Sequence, residues 1–312
     1  MRAYRWGMDA CAVIAVAVVF AGCAAVPPAA APTGAGGTAG DASLDAAPQP
    51  AERGGLRFAD AAALLEAVED VAAGMRDFRS AVTVETTDDV TGDTERRMGQ
   101  VVLVQDTGKP ETRRFAVVLE KFIDGSGRAD DRPVRYVYAD GWLTEADFRE
   151  RTLVRRQLAR PGERYDPLKP GEGPVPLPIG QRREDVMRRF EASLADSPES
   201  ASLKRVTERM VGLRLRPRPG MADRDLVEAT VWYDAQSLVP RGVEARRRNG
   251  RTTVILRGAA VNGGLDDQQR ALLSLATGTT EGWRVDERPM PAGPANAEDA
   301  VPPPGRAPER KP

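Results

Sequence analysis

Apolar residues first fall into register just after position 60. Ala61, Leu64, Leu65, Val68, Val71, Ala72 and Met75 recur at three- and four-residue spacing, which predicts a helix over 60–73 with a single apolar stripe. Asp60 stands where an N-cap belongs and Gly74 where the helix must stop, while Glu66, Glu69 and Asp70 fall on the opposite, wet face. A helix with one apolar stripe needs a surface to lie on. The next segments supply it: 78–86, 95–105, 113–123, 134–139 and 142–147 are rich in Val, Thr, Phe and Tyr and read as strands. Turn-forming residues separate them at 88–93, at 107–110 and at Asp140-Gly141, the last being the strongest hairpin signal in the chain. In 113–123, Phe115, Val117 and Leu119 share a face, with Arg114 and Glu120 on the other. Val118 and Phe122 blur the alternation, so both faces are expected to be partly covered.

A segment over 161–179 is too dense in proline and glycine for regular structure and reads as a crossing between layers. A short helix is expected over 182–190, with Val186, Met187 and Phe190 on one side. Strands resume at 205–216, 227–233, 238–247 and 251–261. Val211, Leu213 and Leu215 alternate with Gly212, Arg214 and Arg216. Val227, Ala229, Val231 and Tyr233 alternate with Glu228, Thr230 and Trp232. A helical patch at 266–276 and a last strand at 283–286 complete the order, which is that of an α+β domain: an antiparallel sheet covered by a few helices.

The two ends have a different character. Arg2 and Arg5 precede an apolar run of about ten residues, half the roughly 20 needed to span a bilayer, and the run closes in Phe20-Ala21-Gly22-Cys23. This is the layout of an export signal. The cysteine directly after Ala-Gly resembles a bacterial lipobox, in which Cys23 would be lipidated and become the first residue of the mature protein. Ordinary cleavage within 21–25, leaving a soluble exported protein, is the alternative. From 23 to 55 the chain is Ala, Pro, Gly and Thr, too poor in large apolar residues for a core and therefore expected to be a disordered tether. Such a tether would hold the domain about 30 Å from its anchor. The expected organisation is thus 1–22 signal peptide, 23–55 tether, 56–290 folded domain, and 291–312 disordered Pro-rich tail.

Composition narrows the chemistry. The chain has no histidine, which removes Ser-His-Asp catalysis and histidine metal sites, and its two cysteines both lie in the leader region. A net charge of −1 over 312 residues gives no basic field for nucleic acid, and Arg246-Arg247-Arg248 reads as a solvated face. Carboxylate-pair hydrolysis remains formally open, but nothing marks a pair among the acids. The expectation is a non-enzyme with no metal and no cofactor.

The order of elements resembles the periplasmic lipoprotein-carrier superfamily of the LolA and LolB type. The likeness is carried by the first helix running into Met75-Arg76-Asp77-Phe78-Arg79-Ser80, by Gly99-Gln100-Val101-Val102-Leu103-Val104, Lys109-Pro110 and Arg114-Phe115, and by Tyr138-Ala139-Asp140-Gly141-Trp142-Leu143. It continues through Leu213-Arg214-Leu215-Arg216-Pro217, Val231-Trp232-Tyr233-Asp234 and Leu238-Val239-Pro240 to Asn249-Gly250-Arg251-Thr252-Thr253-Val254-Ile255-Leu256 and Asn262. The family's Arg-Pro after the second strand stands here as Lys109-Pro110, with Arg113-Arg114-Phe115 displaced by two residues.

The resemblance implies an unclosed, curved half-barrel whose apolar concavity takes the acyl chains of lipoproteins or other lipids beneath a helical lid. Strand parity then nominates Val82, Val84, Phe115, Val117, Leu119, Leu213, Leu215, Val231 and Ile255 as lining residues, with Trp142 at the mouth. The lid would be Leu64, Leu65, Val68, Val71 and Met75; each of these positions would equally suit an ordinary core. The implied protein is lipid-anchored through Cys23 at the periplasmic face of the outer membrane, or else of the inner membrane. It would exchange cargo with a periplasmic carrier or an inner-membrane sorting complex. A protein-recognising envelope lipoprotein of the same fold, and a soluble shuttle if Cys23 is unmodified, are the alternatives.

Overall fold

A computed structural model describes residues 58–106, 109–160, 183–206, 209–220, 225–275 and 281–290. The leader with Cys23, the tether, the proline-rich crossing and the tail lie outside the described residues. Helix α1 (Ala61–Ala73) is followed by the strands β1 (Asp77–Asp88), β2 (Thr94–Asp106), β3 (Lys109–Ile123), β4 (Ala129–Ala139), β5 (Trp142–Asp147) and β6 (Thr152–Gln157). After helix α2 (Arg183–Arg189) come β7 (Phe190–Ala195), the short helix α3 (Ala201–Lys204), β8 (Met210–Pro217), β9 (Leu226–Asp234), β10 (Pro240–Arg247) and β11 (Gly250–Val261). Helix α4 (Asp267–Leu272) and strand β12 (Arg284–Arg288) end the series.

All twelve strands form one sheet in the order β12-β6-β5-β4-β3-β2-β1-β11-β10-β9-β8-β7. Two antiparallel meanders, β1 to β6 and β7 to β11, are joined where β1 pairs with β11. The edges β12 and β7 are not paired to each other, so the sheet stays open: an α+β unclosed half-barrel. It is antiparallel except at one edge, where β12 runs parallel to β6.

Local chemistry explains the ends of α1. The Asp60 carboxylate accepts a hydrogen bond from the Ala63 amide at 2.9 Å, and Gly74 closes the helix with its N–H on the Ala72 carbonyl. The β4–β5 hairpin turns on Asp140 and Gly141, both at positive φ (51° and 78°), the primed turn that matches the twist of the flanking strands.

Other expectations need correction. Strands β6 and β7 and helix α3 were not anticipated, and the expected strand from 205 begins only at Met210. Val227 is 40% exposed and Leu226 takes the buried place, because the β9–β10 register shifts between Arg246 and Arg247. A second irregularity, between Leu119 and Lys121, returns Phe122 to the face of Leu119, which is why simple alternation fails there. At that bulge Gly99 is required: a Cβ would lie 1.8 Å from the Val118 carbonyl oxygen.

The principal core lies on the inner face, between the sheet and α1. One row of cross-strand neighbours runs Val84, Val254, Val243, Val231, Leu213 and Leu194 across six strands. All but Leu194 are fully buried, and Leu194 packs against the same cluster. The outer face carries two smaller clusters: Val102, Ala116 and Val137 beneath Leu265 and Leu273, and Ile255, Trp232 and Ala195 beneath Leu203.

Candidate functional site

Two places have the make-up of a site: the inner face beneath α1, and a polar cleft on the outer face. On the inner face, strand alternation brings together eight of the ten nominated lining residues: Val82, Val84, Phe115, Val117, Leu119, Leu213, Leu215 and Val231. Leu64, Leu65, Val68 and Met75 of the helical segment are buried against them, and Val71 packs at the margin. Ile255 is not among them. On β11 the inward residues are Val254 and Leu256, and Ile255 points outward to Trp232 and Leu203. Trp142 also faces outward, with the Arg155 guanidinium 4.7 Å from its ring centre.

Helix α1 is held differently at its two ends. At its C-terminal end the Asn262 side chain, on a residue at φ 56°, accepts from the Arg76 amide at 2.7 Å and donates to the Gly74 carbonyl at 2.8 Å. Gln105 Nε2 donates to the Met75 carbonyl at 2.7 Å, and buried Arg113 donates from Nε to Gln105 Oε1 at 3.4 Å. The helix body is tied instead to α2, where the Arg183 amide donates to Glu69 at 3.0 Å and its guanidinium to Glu66 at 3.1 Å. That second tie is solvent-exposed and of the kind worth at most about 1 kcal/mol. Its polar contacts thus anchor the helix at Gly74–Arg76, while along its body burial of Leu64, Leu65 and Val68 holds it in place.

Toward β5 and β6 the inner face turns polar, with Glu145 opposite Tyr136 and Arg156 opposite Leu143. Burial pushes the Glu145 carboxyl above the usual carboxylate range, opposed by Arg156 and by the Tyr136 hydroxyl, which donates to Glu145 at 3.5 Å. At the β8–β9 end the inner face holds one polar anomaly. Tyr233 is 0% exposed, and its hydroxyl has no hydrogen-bond partner among the described residues. Burial pushes its phenol well above the ordinary value, so the group stays protonated.

The outer cleft is lined by Ser197, Glu199, Arg214, Glu228, Thr230, Trp232, Glu244, Arg246 and Arg251. Two glycines let its neighbours pack closely on the sheet. The Trp232 ring lies over Gly212, where a Cβ would sit 2.5 Å from Cζ3, and Leu203 of α3 lies over Gly242 at the same distance. Glu244, 8% exposed, accepts from Trp232 Nε1 at 3.1 Å, from the Ser200 amide at 2.5 Å and from the Glu199 amide at 3.2 Å. Arg251 pairs with Glu199, and Arg214 and Arg216 flank Glu228. Arg251 and Arg214 are thus paired within the cleft, and Glu244 serves to fix the loop leading into α3. No sequence signal separates Glu244 from the other acids; only the tertiary fold buries it. Among the described residues no cluster of acids or cysteines could hold a metal ion, and no helix is long and apolar enough to cross a membrane.

No protein-family model and no curated protein sequence matches the chain. Solved structures do. A putative outer-membrane lipoprotein-sorting protein domain from Vibrio parahaemolyticus aligns at 9% identity and TM-score 0.32, over 68% of this chain and 98% of that one. A LolA superfamily protein from Nitrosomonas europaea aligns at 12% and 0.26, over 68% and 97%. The chain is similar to LolA-type proteins. MucB of Pseudomonas aeruginosa, in its complex with MucA, aligns at 12% and 0.36, over 69% of this chain and 61% of that one. At these scores the likenesses are weak.

Proposed function

We propose that the inner face receives acyl chains, with α1 covering it when no cargo is bound. The observation that supports this is the placement of α1. An apolar row crossing six strands lies in the core that an amphipathic helix covers, and among the described residues the backbone of that helix is tied to the sheet by side-chain hydrogen bonds at its C-terminal end. Exposed acyl chain costs about 0.8 kcal/mol per CH₂, so cargo crossing water needs such a surface, and no catalytic group is called for. The protein is then a non-enzymatic lipoprotein of the envelope. It is anchored through Cys23 at the periplasmic face of the outer membrane and takes lipoprotein cargo from a soluble carrier.

The test is mass spectrometry of lipid extracted from the native full-length protein, with the modified N-terminus read in the same run, followed by titration with a fluorescent fatty acid. Acylated species and saturable binding are expected. A delipidated protein that binds no acyl probe would end this reading. It would favour recognition of a protein partner, a role with which the inner face closed over by the chain's own side chains is equally compatible.

A further inference from the structure

The inner face carries hydroxyl groups whose needs are met within the fold. Ser80 Oγ donates to a backbone carbonyl, with those of Ala81 and Arg257 at 2.9 and 3.0 Å, and the Tyr136 hydroxyl reaches Glu145. Tyr233 is the exception. Its ring shares the floor with Ala229 and Val231 of the same strand, and its cross-strand neighbours are Val211 and Pro240. None of these offers a side-chain acceptor. A phenylalanine would make the same apolar contacts without burying an unsatisfied hydroxyl, so packing alone gives no reason for the oxygen.

The surroundings restrict what could satisfy it. Charged side chains on this face lie away from Tyr233: Arg97, Arg113, Glu145 and Arg156 belong to β2, β3, β5 and β6, with β1, β11 and β10 between β2 and β9, and Arg247 of β10 pairs with Leu226, seven residues along its strand from Pro240, the neighbour of Tyr233. An ionised carboxylate brought to Tyr233 would be desolvated without a cation beside it. A neutral carbonyl would need one donor, and the protonated phenol is one.

We propose that the Tyr233 hydroxyl is the polar contact of the acyl surface, donating a hydrogen bond to the carbonyl oxygen of an acyl ester or amide once α1 is displaced. The ligand class is then a neutral acyl glyceride or acylated cysteine, in preference to a bare alkyl chain or an ionised fatty acid. This rests on the acyl-binding reading above and deepens it.

The full chain is titrated with a fluorescent polyene fatty acid, which is then displaced by 1-monomyristoylglycerol or by its ether analogue 1-O-tetradecylglycerol, a pair differing only in the carbonyl. The wild type should bind the ester about threefold to tenfold more tightly than the ether, the worth of one neutral hydrogen bond. In Tyr233→Phe the preference should vanish while ether affinity stays within about twofold, and the melting temperature of the lipid-free variant should equal or exceed that of the wild type. Equal affinities for ester and ether in the wild type, or an ester preference retained by Tyr233→Phe, would overturn the proposal while leaving acyl binding intact. So would a markedly lower melting temperature, since it would reveal an internal partner for the hydroxyl. A bound probe that neither lipid displaces would likewise overturn the proposal, whereas failure of the fatty-acid probe itself to bind would remove the acyl-binding reading.

Discussion

If acyl chains and α1 compete for one surface, shortening the helix's contacts should change which chains bind. Leu64, Leu65 and Val68 of α1 are buried on the inner face. At about 1.5–3 kcal/mol per side chain, lifting α1 away while Gly74–Arg76 stay anchored forfeits roughly 5–9 kcal/mol. A palmitoyl chain with about 14 methylenes regains about 11 kcal/mol on burial, and an octanoyl chain with about 6 regains only about 5. Binding should therefore switch on steeply within a chain-length series instead of rising smoothly from the shortest member. Leu64→Ala removes about 2–5 kcal/mol from the closed state. That is worth about 3–6 methylenes, so the onset should move to chains shorter by about that number of carbons. The assay is displacement of a fluorescent fatty acid by methyl esters from six to eighteen carbons, with thermal unfolding measured alongside. Val117→Ala, on the sheet floor, serves as the control: it should lower stability comparably without moving the onset to shorter chains. A Leu64→Ala protein that melts earlier but keeps its onset would refute the competition. An onset moved to longer chains would show that α1 forms part of the site.

Three further outcomes follow from the geometry. Glu145→Gln should stabilise the protein at pH 7 and lose that advantage near pH 4. Its folded-state pKa is raised, so its contribution is fully present below the unfolded value of 4.5 and is lost as pH rises through the folded one; urea midpoints across pH 4–8 check this. Glu244→Ala should cost on the order of 3 kcal/mol by stranding the Trp232 indole and two amides, and Glu244→Gln about half as much. Urea unfolding followed by the near-ultraviolet signal of Trp232 reads both, and a change under about 0.5 kcal/mol would contradict the network. Gly99→Ala should lower stability by about 3 kcal/mol or more, since the obstructing atom is a backbone carbonyl that cannot rotate away; thermal unfolding tests it.

What was legible in the sequence is what neighbouring residues decide among themselves. Asp60, Gly74 and the stripe from Ala61 to Met75 define α1 through contacts within a few positions, and Asp140-Gly141 turns the chain on its own dihedral preferences. The alternations Phe115/Val117/Leu119 and Leu213/Leu215 place those side chains on one face for the same reason. The order of elements gave an antiparallel sheet covered by helices, and the open half-barrel followed from the resemblance of that order to LolA-type proteins.

Only the tertiary structure decided the rest, because it depends on pairing between strands far apart in the chain. In Thr252-Thr253-Val254-Ile255-Leu256 both faces are covered, so alternation carries no sign; the register with Val84 and Val243 turns Val254 inward and sends Ile255 out to Trp232. The bulges at Gly99 and at Leu226 invert parity, the first showing in the sequence only as the broken alternation at Phe122 and the second not at all. β6 and β7, short and rich in charge or small residues, become strands through a neighbour's free edge more than through their own composition. The buried carboxylate of Glu244 and the unpartnered hydroxyl of Tyr233 are properties of surroundings, set by what the fold brings near and what it keeps away.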